Sequence, residues 1–501
     1  MNLQWKHILI LIFSAVLAEL AFAPFNQFYT AFFALVPLLY ILDRCKNGFL
    51  TGFIWGFFYS LFSIHWLAFN TGTYWWVATF SMLLASVFLA LNYAVIGFFF
   101  TWMRKRNTSF AFFLFPFIWV AVEFLRSFGT LGFPWLALGH SQAYNTLYVQ
   151  TADIGGVYTV SFLLLLTNLF LYLLFRSYSR QRLTALLLII MIPYLYGIMA
   201  MNTDMQSGEK LNFRIIQPNI GGKEKWEPSN RVAIMNKMDS LSRVETGIAP
   251  DVIVWPETAV PFYLRSSRYY KNIILRCARD MRSTVITGSL DYFFPDTVSR
   301  YSSTNSIFIF EPGVKDYQDV VYDKIHLVPF GEFTPGGEYF TWMNNMEYGQ
   351  SDFTTRKKVR VMHMGKDSVI FTPMICYDSV FPHTIRRAAA EGSRYNILIT
   401  NDIWFGRSIG PHQHAAIAIL RAVETRRPLI RSANAGISMF IDAKGRVKES
   451  LPLYTSGLID QELSAGEHVS PYVRTGNLFS WIISIISLTG ICFLLCVKRK
   501  K

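Results

Sequence analysis

The chain has 501 residues, enough for two or three domains, and 52% of them are hydrophobic, a fraction that places part of the protein in lipid. Its formal net charge of +14 comes from short basic groups set between apolar segments. No basic stripe interleaved with aromatics is present, so nucleic acid is a poor match and orientation in a membrane a better one. Cys45, Cys277, Cys376, Cys492 and Cys496 show neither a disulfide framework nor a CxxC metal pair.

In chain order, apolar segments approach the roughly 20 residues a bilayer-spanning helix requires. They are predicted near residues 6–23, 28–43, 49–69, 76–103, 108–126, 157–176, 183–201 and 478–497. The expected fold class is therefore a multi-pass α-helical membrane domain of about eight spans plus a separate α/β domain. The first segment has the length of a signal peptide, but AELAFAPF ends in bulky aromatics and further spans follow, so a retained helix is expected. Bases alternate from loop to loop: Arg44 and Lys46, then Arg104, Lys105 and Arg106, then Arg176, Arg180 and Arg182, then KRKK at 498–501. By the positive-inside rule these ends are cytoplasmic, and the block between the seventh and eighth spans faces outward.

The segment from about 127 to 156, containing Trp135, also falls outside; its aromatics and glycines suit an interfacial arm against lipid headgroups or an ordinary outer loop. Glu19, His65 and Glu123 lie in or near spans, where ionisable groups are costly. Structural hydrogen bonds and headgroup contacts explain the two glutamates equally well.

Expected domain limits are 1–205 for the first helices, 206–470 for the outer block, and 471–501 for the last helix with its basic tail. In the outer block FRIIQPNI, DVIVWPET, STVITGSL, NSIFIF, SVIFTPMICYD, YNILITND and ISMFID are short β-rich runs, and YKNIILRCARDM and HAAIAILRAVETR are amphipathic helical stretches. Such alternation predicts a layered α/β domain with buried sheets.

Three places in this block join a reactive side chain to a strand end or tight loop: Glu257 in VWPETAVP, Lys324 and Glu332 in YDKIHLVPFGEFTP, and Cys376 in ICYDSVFP. Singly, each has an ordinary reading as a cap, a solvated charge or a core thiol. Together they supply a nucleophile, a base to take its proton, and a cation to stabilise the thiolate and then an oxyanion. His412 and His414 in PHQHAA have a spacing that could suit a metal on a strand, but they open a helical pattern without a nearby acidic or cysteine partner, so no metal site is expected. No cofactor is implied.

The order WPET, then K-x-H-L-V-P-F-G-E-F, then C-Y-D resembles the nitrilase superfamily, which carries a Glu-Lys-Cys triad on an α-β-β-α sandwich. Spans on both sides of the domain, KIHLVPFGEFTP and NDIWFGRSIGPHQHAAIAILRAVETRRPLIRSANAGIS, look like its membrane-embedded branch, apolipoprotein N-acyltransferase. The resemblance implies Glu257 as general base, Lys324 as oxyanion-stabilising cation and Cys376 as acyl-accepting nucleophile. Glu332, Tyr377 and Asp378 are implied as supporting residues and Trp226, Trp404 and Trp135 as substrate-binding aromatics. Asp378 departs from the pattern, since the family commonly shows Glu there. The implied partners are a phospholipid donor and a diacylated lipoprotein acceptor at the periplasmic side of a bacterial inner membrane, handled by a monomer. The rival within the same chemistry is a membrane-tethered amidase or hydrolase that gives the acyl group to water. A transporter is a further rival, but the spans carry few central charges.

Overall fold

The computed structural model of the protein describes residues 1–205, 208–295, 301–318, 320–335, 353–356, 360–365 and 368–496; the KRKK run lies outside them. Two units divide the chain. One holds Met1–Phe69, Trp75–Thr203 and the chain from Thr475 on, and the other holds Asn70–Tyr74 and Asp204–Arg474.

The first unit is helical. Among its described residues, six helices are long and apolar enough to cross a bilayer: Gly48–Phe69, Trp75–Arg104, Thr108–Leu125, Val157–Arg176, Arg180–Asn202 and Leu478–Cys496. The first two expected spans differ. Trp5–Leu20 is a helix of 16 residues, about 24 Å of rise against a hydrocarbon core of about 30 Å. The second segment is broken into a 3₁₀ turn, Phe28–Phe32, and a short helix, Val36–Leu42, with Pro37 in its first turn. Non-helical backbone is tolerated at membrane depth only where protein satisfies it. Asn168 does so here, donating to Ala31 O at 2.7 Å and accepting from Leu35 N at 2.8 Å.

Residues 127–156 are expected, from the sequence, to form an interfacial arm or an outer loop. From Pro134 to Thr151 they form 3₁₀ turns that are mostly buried in the helical unit. Two of their amides are satisfied from the flanking helices, Leu138 N donating to Glu123 at 2.9 Å and Gly139 N to Ser161 Oγ at 2.8 Å, while the Gln142 side chain donates to Phe28 O at 2.9 Å. Glu123 thus holds a turn, and Glu19 accepts from Ser63 Oγ; both glutamates have structural partners.

Small residues set one close helix contact. Gly48, Gly52 and Gly56 recur every fourth position and so share one face, which lets the backbone of Gly48–Ile64 meet that of Trp75–Arg104. A Cβ on Gly52 would lie 2.1 Å from Tyr93 O. Gly52→Leu is accordingly expected to destabilise the protein by about 1–3 kcal/mol or more through overpacking, read as a lower thermal midpoint in detergent. An unchanged midpoint would contradict the contact.

The second unit is built from two sheets whose residues alternate with period two. The first contains β1 (Lys210–Gln217), β2 (Val252–Val254), β3 (Val260–Tyr263), β4 (Thr284–Phe293), β5 (Ser302–Phe310) and β6 (Tyr322–Asp323). The second contains β7 (Met362–Met364), β8 (Val369–Ile375), β9 (Tyr395–Thr400), β10 (Leu429–Ala433), β11 (Ser438–Ile441) and β12 (Val447–Leu451), and β13 (Gly457–Ser464) returns to pair with β1. Strand order among the described residues is β13-β1-β2-β4-β5-β6, with β3 on β4, and β12-β11-β10-β9-β8-β7.

Phe213, Ile215, Val252, Val254, Ile307 and Ile309 face Phe371, Ile375, Ile397, Ile399 and Ile430 between the sheets. The alternate residues Ile216, Ile253, Val285 and Phe308 pack outward on helices Arg231–Ser242 and Arg268–Met281. Helices Pro382–Ala390 and Gly410–Thr425 contact β8 and β10 of the second sheet. The layers are therefore α-β-β-α, as expected. β1-β2-β4 and β8-β9-β10 run parallel, so their carboxyl ends, where open α/β sheets place ligands, gather in one region.

Candidate active site

Each reactive group follows a strand end. Glu257 stands three residues past β2, Lys324 directly past β6 and Cys376 directly past β8. The fold brings the first two into contact: Lys324 Nζ lies 3.6 Å from Glu257 Oε1 and donates to Glu332 Oε1 at 2.7 Å, with the lysine side chain 1% exposed. Glu332 is itself fixed by the Val328 amide at 2.9 Å, closing the loop that carries the lysine. Asn305, on β5, donates to Glu257 Oε1 at 2.7 Å and sets the orientation of that carboxylate.

The electrostatics fit proton exchange. Burial raises the pKa of Glu257, and Lys324 only partly offsets it. Burial and then the Glu257 charge push the Cys376 thiol up, against the pull of Lys324. For Lys324, burial alone would favour the neutral amine, but Glu332 and Glu257 outweigh it and keep the ammonium charged. At rest the proton therefore stays on sulfur, and the Glu257 carboxyl lies above the ordinary carboxylate range. Such matching is what proton exchange between a thiol and a carboxylate requires.

Cys376 has φ +48°. A non-glycine residue there is strained by about 1–3 kcal/mol and persists only where its surroundings hold it. Asp378 is one such hold. Its Oδ2 accepts from Tyr322 Oη at 2.7 Å and Ile375 N at 3.1 Å, and its Oδ1 from His326 N at 2.8 Å and Ile325 N at 3.2 Å. This short acid binds the cysteine turn to the segment on either side of Lys324. Both oxygens are filled, so aspartate is long enough for this role.

Trp226 and Trp404 line a small cavity of about 40 Å³ together with Glu257, Asn305, Glu332 and Phe353. Tyr377 is buried, its ring 5.1 Å from that of Phe381. Trp135 belongs to the helical unit, where it is buried with its ring 5.0 Å from Trp66 and 6.2 Å from Phe133.

Sequence reasoning missed two groups. Asn305 stood unremarked at the head of NSIFIF. Lys225, beside Trp226, is 1% exposed and donates to Glu257 O at 3.0 Å. Burial pushes its pKa down to about 7, against the attraction of Glu257. A lysine next to a tryptophan carries no pattern that announces burial; only its contact with the Glu257 carbonyl in the folded chain reveals it.

Among the described residues, one His/Cys/Asp set has donor atoms all within 4.8 Å: Cys376, Asp402 and His414. Arg431 stands 2.7 Å from Asp402 Oδ2, and both imidazole nitrogens have hydrogen-bond contacts. Within it Asp402 and His414 contact each other, and His414 also contacts Ser379 and the Cys376 carbonyl oxygen.

Comparison with known proteins accounts for both units. The family profile of the apolipoprotein N-acyltransferase N-terminal domain matches residues 14–170, and that of carbon-nitrogen hydrolase matches residues 214–468. The chain is 32% identical to the apolipoprotein N-acyltransferase of Geobacter metallireducens, over 98% of this chain and 95% of that one. It is 30% identical to that of Chlorobaculum tepidum, over 94% and 92%, and 28% identical to that of Haemophilus influenzae, over 98% and 95%. Helical unit and α/β unit, matched end to end by such relatives, make this chain a member of the apolipoprotein N-acyltransferase family.

Proposed function

We propose that the protein transfers an acyl chain from a phospholipid to the N-terminal amine of a diacylglyceryl-cysteine lipoprotein, through a thioester on Cys376. The observation that carries the reading is the buried Lys324 held between two carboxylates, Glu257 and Glu332; the charges of Lys324 and Glu257 act on the Cys376 thiol. Family membership supports the choice of donor and acceptor.

In the first half-reaction Glu257 accepts the Sγ proton as the sulfur attacks the ester carbonyl. Lys324 stabilises the tetrahedral oxyanion. The C–O bond then breaks, the departing lysophospholipid oxygen takes the proton from Glu257, and a thioester remains. In the second, the lipoprotein α-amine attacks the thioester and gives its proton to Glu257. The C–S bond breaks, the sulfur is reprotonated, and an amide leaves. Trp226 and Trp404 limit the access of water to the thioester between the two steps. The alternation of basic loops supports an outward, periplasmic catalytic domain on a multi-pass protein of the inner membrane.

Incubation of purified protein with acyl-labelled phospholipid is expected to place label on Cys376, and a diacylated lipopeptide is then expected to remove it into an amide, with ping-pong kinetics. Label released only as free fatty acid would show a hydrolase instead.

A further inference from the structure

The PHQHAA motif found no acidic partner in the sequence. The fold supplies one. Asp402, at the turn after β9 that also carries Trp404, lies with Oδ1 2.9 Å from His414 Nδ1. The other imidazole nitrogen, Nε2, is 2.9 Å from Ser379 Oγ and 3.2 Å from the carbonyl oxygen of Cys376. Ser379 Oγ donates to that same carbonyl at 2.8 Å. Burial works against the charge on Asp402, but Arg431 and His414 beside it hold it well below the usual carboxylate range. Asp402, His414 and Ser379 are each 3% exposed or less.

This is the geometry of an acid-imidazole-hydroxyl chain, yet its hydroxyl is sealed from solvent and points at backbone. It ends on the one peptide carbonyl that belongs to the strained nucleophile. We propose that Asp402, His414 and Ser379 are positioning residues: the chain anchors the Cys376 carbonyl, keeps the cysteine at its positive φ, and ties the nucleophile to the turn bearing Trp404. Asp378 fastens the amide side of the same turn, at Ile375 N; this chain fastens the carbonyl side. The proposal rests on Cys376 being the acylated residue.

The test compares variants at His414 in the full-length detergent-purified protein, measuring single-turnover acylation by labelled phospholipid and the lipid concentration that half-saturates it. Asparagine can reach Asp402 from position 414 but not the Cys376 carbonyl; glutamine can reach the carbonyl. Displacing a reacting atom by about 1 Å costs on the order of 100-fold, so His414→Ala and His414→Asn are each expected to slow the maximal acylation rate by about 10- to 100-fold, with half-saturation within about twofold of wild type. His414→Gln is expected to recover to within about threefold of the wild-type rate, by the same positional argument.

Gly436→Ala disturbs the chain without deleting a bond, because its Cβ would lie 2.5 Å from Asp402 Oδ2; it too is expected to slow acylation more than it changes half-saturation. Wild-type rates in His414→Ala, or equal losses in the alanine, asparagine and glutamine variants with matching losses of thermal stability, would overturn the positioning role. Absence of label from Cys376 in the wild-type protein would instead remove the nucleophile itself, and this proposal with it.

Discussion

Cys376→Ser is expected to leave no covalent acyl-enzyme and to slow lipopeptide acylation by about four orders of magnitude or more, the scale seen when a nucleophile that acts as part of a unit is removed. The size follows from the site. The thiol is already held protonated by burial and by the Glu257 charge, and a hydroxyl in its place is a far weaker acid, so a base suited to sulfur cannot generate the oxygen nucleophile. Serine also keeps the volume and the positive φ of the turn nearly unchanged, which separates chemistry from folding. Thermal stability should therefore remain close to wild type while intact-mass spectra lose the acyl adduct. A serine variant that still carries the acyl group at position 376, at a rate within tenfold of wild type, would remove the thiol from the mechanism.

How far the sequence alone reaches depends on where each partner sits along the chain. The seven β-rich runs of the outer block are legible as short apolar runs because their strands are buried on both faces: Ile215 and Ile216 are neighbours in sequence but belong to different cores. Short or exposed strands leave no such run. β12 is mostly exposed, and β6 and β7 have two and three residues. In the helical unit, hydropathy marked residues 28–43 as a span but says nothing of hydrogen bonding, so the break repaired by Asn168, more than 120 residues away, left no local trace.

The site divides in the same way. Glu257, Lys324 and Cys376 are legible as candidates because each sits in a motif just past a strand, with Glu332 in the same motif as Lys324. Lys225 and the Asp402–His414 pair become visible only when separate elements are folded together. Asp378 shows the limit of pattern most plainly. It departs from the glutamate that the resemblance implies, yet both of its oxygens accept hydrogen bonds from the two segments it joins.

Glu257→Gln is expected to lower the acylation rate by about 10²- to 10⁴-fold, the usual contribution of a general base, and to flatten its acid limb. The amide keeps the size of the carboxylate and can still meet Asn305 and Lys324, so lipid half-saturation should change little. In the wild-type protein the base works only when ionised. Its pKa is raised above the ordinary carboxylate value by burial, so activity should rise with pH through a limb displaced upward from that value. Lys324 opposes the rise, because its charge favours the ionised form of Glu257. Lys324→Met should thus move the limb to still higher pH, besides removing the oxyanion's cation. Glutamine should abolish the limb without moving it. A pH profile of the glutamine variant that retains the wild-type acid limb would assign that ionisation to another group, with Lys225, whose pKa is pushed down to about 7 beside the Glu257 carbonyl, the next to test.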